Sequence, residues 1–190
     1  ADDNASLTGV FTAEMPTMDK AQFHVESAAM GENGTPILIT QSEYMRRMKD
    51  ASRYQQGMSF YGEMPDMYNV VLNADHRLIK EVLADMKSQL ADKLQPIESE
   101  LKGLHARHTA IEQSQKDKKP EELTDADKED MKKCNDDIAA QEEARKQVWA
   151  EYGKQNPVVP QLIDLALLQN GLLRGEALSK FINRSVDLIK

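Results

Sequence analysis

The sequence predicts an α+β fold: a small antiparallel sheet with packed helices, broken by a long antiparallel coiled-coil hairpin and closed by a pair of terminal helices. Three patterns carry this prediction. AQFHVESAAM (21–30) sets Phe23, Val25, Ser27 and Ala29 against His24, Glu26, Ala28 and Met30, the period-two alternation of a half-buried strand. Between Leu90 and Tyr152, two stretches step by threes and fours, the spacing of a helical seam. Residues 162–189 place an almost wholly apolar run before a one-sided amphipathic one.

The elements come in order along the chain. LTGVFTAEM (7–15) reads as a short helix stopped by Pro16. After the alternating strand, GENGTP (31–36) is a turn signal and PILITQ (36–41) a β-branched strand, so the two strands are expected to pair antiparallel. Ser42 caps a helix from about Glu43 to Tyr54 that carries Met45 and Met48. Gly57, Gly62 and Pro65 break the next residues into loop, and MYNVVL (67–72) is a third strand ending at LNADH (72–76).

From Arg77 the character changes. After Leu78, Ile79, Val82, Leu83 and Met86, a heptad stripe runs through Leu90, Leu94, Ile97, Leu101, Leu104, His108 and Ile111, with a kink expected at Pro96. KDKKPEEL (116–123) is the tip loop, and Thr124 with Asp127 forms a capping-box variant. Met131, Cys134, Ile138, Gln141, Arg145, Val148 and Tyr152 repeat the stripe until Gly153 and Pro157, which are expected to end it. An arm of roughly 35 residues spans about 50 Å, enough to stand clear of a small domain. The chain thus divides into an α+β part (1–89), a hairpin insertion (90–153) and terminal helices (154–190) that belong with the first part.

LIDLALL (162–168) is apolar nearly all round, so a helix there is expected to be buried on more than one side. Gly171 after Asn170 stops it, and GEALSKFINRSVDLIK then spaces Leu178, Phe181, Ile182, Ser185, Val186 and Ile189 along one face. One chain has little material to cover both helices. Two helices from each of two copies make a four-helix bundle that does, with Leu162, Leu165, Ala166, Leu168 and the six residues of the last face as the dimer interface. The competing arrangement folds both helices back onto their own domain.

Composition narrows the function. A formal net charge of −8 argues against nucleic acid and against an anionic membrane surface, and no apolar run is long enough for a spanning helix. A single cysteine, Cys134, excludes an intrachain disulfide and fits a reducing cytoplasm. The chain opens on Ala1 rather than Met and enters structure at once, as a piece of a longer protein would. His105 and His108 stand three apart on a helix without a completing ligand, so no metal site is expected. No arrangement of residues supports catalysis. Residues 44–68 hold Tyr44, Met45, Met48, Met58, Phe60, Tyr61, Met64 and Met67 among arginines and glycines. Thioether side chains adapt to many apolar shapes, which suits either a tolerant binding surface or, for Met45 and Met48, ordinary core.

RRMKDAS (46–52), then the methionine and aromatic loop, then LNADH, LALLQNG (165–171) and FINRSVDLI (181–189), occur in an order that resembles the C-terminal domain of the heat-shock protein 90 chaperones, the bacterial high-temperature protein G branch in particular. The resemblance covers residues 7–86 and 156–190. It implies a homodimer that contacts unfolded or partly folded clients through Tyr44, Met45, Met48, Met58, Phe60, Tyr61, Met64 and Met67. It also implies ATP and magnesium in an N-terminal domain outside these residues, with no cofactor in the residues themselves. Three differences stand out: Ala74 stands where a proline is usual, residues 90–153 replace what is a short connection in most members, and the chain stops at Lys190 without the acidic Met-Glu-Glu-Val-Asp tail of the eukaryotic cytosolic members. A stand-alone coiled-coil adaptor, with the hairpin as its working part, is the rival reading.

Overall fold

The computed structural model describes residues 2–52, 64–116 and 123–189. The described elements are α1 (Asp2–Glu14), β1 (Ala21–Ala28), β2 (Ile37–Gln41), α2 (Glu43–Ser52), β3 (Asp66–Asn73), α3 (Arg77–Gln115), α4 (Asp125–Gln155), α5 (Val158–Gln169) and α6 (Gly175–Ile189). The chain separates into one unit made of Ala1–Met86 with Ala150–Lys190, and a second made of Lys87–Trp149.

The sheet of the first unit corrects the expected antiparallel pair. Its order is β1-β3-β2, with β1 parallel and β2 antiparallel to β3. The short GENGTP connection suits a hairpin, but β3 carries Val70 and Leu72, both almost completely buried, and the most apolar strand takes the position with neighbours on both sides. GENGTP is instead a loop fastened by Asn73 of the LNADH segment. The Asn73 carboxamide accepts from the Met30 and Asp75 N–H groups (both 3.1 Å) and donates to the Gly31 and Thr35 carbonyls (2.9 and 3.2 Å). It is completely buried and every polar atom of its side chain is partnered, as a buried amide requires. The Asp75 carboxylate accepts from the Gly31 N–H (2.8 Å), and His76 Nδ1 accepts from the Leu78 N–H (3.1 Å), capping α3.

The core gathers Leu7, Val10 and Phe11 of α1, one turn apart, against Val25, Ile37, Ile39, Val70 and Leu72 of the sheet and Val159, Leu162, Ile163, Ala166 and Leu167 of α5. Ile79, Val82 and Met86 at the start of α3 complete it. Tyr152 donates to Asp85 (2.7 Å), and the Asn156 carboxamide donates to Tyr152 (2.9 Å) and accepts from the Val158 N–H (2.9 Å), so one polar knot fixes α3, α4 and α5. Burial, then the Asp85 hydrogen bond, pushes the Tyr152 phenol far above its ordinary value, so it remains a donor. Gly153 does not end α4, which runs on to Gln155. A Cβ there would lie 2.5 Å from Glu14 Cγ, so the glycine is a packing position that lets α1 approach. Gly171 does act as the expected stop: it adopts φ 68°, the Leu172 N–H bonds the Leu167 carbonyl (2.9 Å) and the Gly171 N–H bonds that of Leu168 (3.0 Å).

In the second unit the helices run antiparallel. Cross-links pair Arg107 with Asp130, Cys134 with the Leu104 carbonyl (3.5 Å), Gln141 with Glu100 (2.8 Å) and Arg145 with Glu98 (3.2 Å), residue numbers falling on one helix as they rise on the other. The stripe residues Leu90, Leu101, Ile111 and Cys134 are buried, as is Trp149, which the stripe did not include; Arg145 stacks on the Trp149 ring at 4.9 Å. α3 continues through Pro96. The predicted capping box is present: Thr124 Oγ1 accepts from the Asp127 N–H (3.2 Å), and Asp127 Oδ2 accepts from the Thr124 N–H (3.0 Å). The tip, residues 117–122, lies outside the described residues.

Candidate protein-binding surfaces

Among the described residues, two apolar surfaces of the first unit are open to solvent. The first lies on α5 and α6. These helices are joined by polar side chains: Arg184 pairs with Asp164, Gln161 donates to Ser185 (2.7 Å), and Arg184 donates to Gln161 (3.4 Å). With one flank of α6 so engaged, its apolar ridge is left over. Ile182, Val186 and Ile189 are 51%, 50% and 85% exposed, and no residue of α6 is buried.

Of the predicted interface, Leu162 and Ala166 are buried inside the subunit, Leu178, Phe181 and Ser185 are half-buried, and Leu165 and Leu168 face outward. LIDLALL therefore splits: one face enters the core and the other is open to solvent. Leu165 and Leu168 also border a groove of about 280 Å³ between α5 and Thr35–Ile37. Leu188 is 56% exposed and was not named in the predicted interface, although it follows Ser185 by three residues and Phe181 by seven and so keeps the spacing of that face.

The second surface joins α2 to the start of β3. Lys49 Nζ donates to Asp66 Oδ1 (2.9 Å) and to the Met64 carbonyl (3.0 Å), and Gln41 Nε2 reaches the same Asp66 oxygen (3.2 Å). α2 has no buried residue. Glu43, Arg46, Arg47 and Asp50 pair along its outer side at i,i+3 and i,i+4, leaving Met45 and Met48 half-buried and Tyr44 67% exposed. Met64 is half-buried and Met67 exposed on the outer sheet face, while Tyr68, one residue on, turns inward and stacks on Phe23 (5.6 Å). Burial and then Asp66 raise the Tyr68 phenol, with Lys49 opposing. Met58, Phe60 and Tyr61 lie outside the described residues. Exposed Leu38 on β2 was not anticipated, although the alternation of PILITQ already sets it opposite the inward Ile37 and Ile39.

Among the described residues there is no group of three His, Cys, Asp or Glu placed to hold a metal ion, and no helix is long and apolar enough to cross a membrane. What the exposed surfaces offer is dispersion and burial of a partner's apolar side chains.

No protein-family model and no solved structure matches the chain. Curated relatives do. It is 47% identical over 192 aligned positions to the Chaperone protein HtpG of Bacteroides fragilis, covering 100% of this chain and 28% of the relative. It is 45% identical to the Chaperone protein HtpG of Bacteroides thetaiotaomicron and 42% identical to that of Porphyromonas gingivalis, covering 97% and 98% of this chain and 27% of each relative. The chain thus spans a little over a quarter of their length. The matches run through residues 90–153, so the helical insertion, which interrupted the resemblance seen in the sequence, is shared with these relatives.

Proposed function

The chain belongs to the HtpG chaperone family, and we propose that it is the C-terminal dimerisation and client-contact part of an ATP-dependent chaperone that binds unfolded or partly folded proteins. The open ridge of Ile182, Val186 and Ile189 carries this reading. Apolar side chains aligned on one helix face and left half or more exposed gain most from a second copy, which meets them with the same ridge about a twofold axis. Four helices, α5 and α6 from each subunit, form the bundle. The surface around α2 supplies client contact: Tyr44, Met45, Met48, Met64 and Met67 present pliable apolar area beside paired charges. ATP and magnesium are assigned to the part of the protein that this chain does not cover, and the location to the cytoplasm.

The test substitutes Tyr44→Ser together with Met48→Ala. Suppression of aggregation of a thermally unfolded client should weaken while the dimer, followed by light scattering, persists. Full suppression by a variant that still dimerises overturns the client assignment.

A further inference from the structure

Building on the client-contact reading, we propose that the methionines of the α2–β3 surface form a reversible oxidation site through which peroxide lowers the capture of apolar segments. Thiol chemistry is closed off in the described structure, because the single cysteine, Cys134, is completely buried. Thioethers are within reach of solvent. Met67 is 39% exposed and Met45, Met48 and Met64 are half-buried, whereas Met86, in the core of the same unit, is 2% exposed. The four methionines surround one junction. Met45 and Met48 flank the turn of α2 that carries Lys49, Met64 offers Lys49 its carbonyl, and Met67 succeeds the Asp66 that pairs with it.

In the step proposed, a thioether sulfur lone pair attacks one oxygen of hydrogen peroxide. The S–O bond forms, the O–O bond breaks, the proton on the transferred oxygen passes to the departing hydroxide, and water leaves as sulfur loses two electrons. The product sulfoxide is polar and chiral, and sulfoxide reductases return it to the thioether. An apolar segment covering an oxidised Met67 no longer gains from burying its exposed part, which weakens capture by about threefold to sevenfold. Leu38, exposed on the same sheet, offers no sulfur and retains its character.

The experiment oxidises the full-length protein with graded hydrogen peroxide, quenches with catalase, and then adds thermally unfolded citrate synthase. Peptide mass mapping should show the sulfoxide at Met67 well before Met86, and suppression of light scattering should fall in step with it. A variant with Met45, Met48, Met64 and Met67 all changed to Leu, similar in volume, should capture as much after peroxide as its own untreated sample does. Equal oxidation of Met67 and Met86, undiminished capture by protein oxidised at Met67, or a leucine variant as peroxide-sensitive as the wild type overturns the switch. A variant with the same four residues changed to Ser separates the two ideas. If unoxidised serine protein captures normally, the client-contact reading falls and the switch with it; if it is impaired while sulfoxide protein is not, only the switch falls.

Discussion

Replacing Ile182 and Val186 together with serine should separate the subunits without unfolding them. Both side chains are about half exposed in the single subunit. Full burial of such a group stabilises by ~1.5–3 kcal/mol, so covering the exposed half contributes about 0.8–1.5 kcal/mol. In the proposed twofold dimer each side chain occurs twice, so the double substitution removes four contributions, about 3–6 kcal/mol in all. At ~1.4 kcal/mol per decade, the dimer dissociation constant should rise by about 10²–10⁴. Sedimentation velocity across a dilution series measures it. Far-ultraviolet circular dichroism should be unchanged, because no residue of α6 is buried within the subunit. A dissociation constant equal to that of the wild type, or a wild type that is monomeric at micromolar concentration, refutes the reasoning.

Two further substitutions test how the first unit holds together. Asn73→Ala removes the side-chain partner of the Met30 and Asp75 N–H groups and of the Thr35 carbonyl, while the Gly31 carbonyl keeps the Gly34 N–H, and should cost about 3 kcal/mol in chemical denaturation. Glu14 Oε1 is buried without a hydrogen-bond partner among the described residues, and burial raises its carboxyl above 4.5 although Lys154 opposes this. The folded state then holds that proton more tightly than the unfolded chain. Its contribution to stability is greatest below the ordinary 4.5 and declines as pH rises through the higher folded-state value. Glu14→Gln should therefore melt higher than the wild type at pH 7, with the gap closing as pH falls toward 4.5 in thermal scans. Gly153→Ala should destabilise through its clash with Glu14, and much less so when combined with Glu14→Ala, a coupling that a double-mutant cycle reads directly.

What the sequence by itself determined was the set of features closed within a few residues. The alternation of 21–30 made a strand, the stripe from Leu90 to Tyr152 made two helices, Thr124 with Asp127 marked the start of the second, and Asn170 with Gly171 marked the end of α5. These depend on side-chain period and on bonds reaching no farther than one turn, so neighbours in the chain suffice to fix them. The Met and aromatic content of 44–68 likewise pointed to an open surface, and Tyr44 and Met67 are exposed.

Tertiary structure alone decided the rest. Eight residues between β1 and β2 are compatible with a hairpin, yet β3 lies between those strands because placing Val70 and Leu72 centrally buries more than the local pairing does. Gly153 had the appearance of a helix stop until Glu14, far away in the chain, came to rest against it. The all-round apolar LIDLALL could not declare which face turns inward; contact with α1 and the sheet buried Leu162 and Ala166 and left Leu165 and Leu168 outside. Local geometry offers each of these segments several nearly equivalent partners, and only the total area removed from water selects among them.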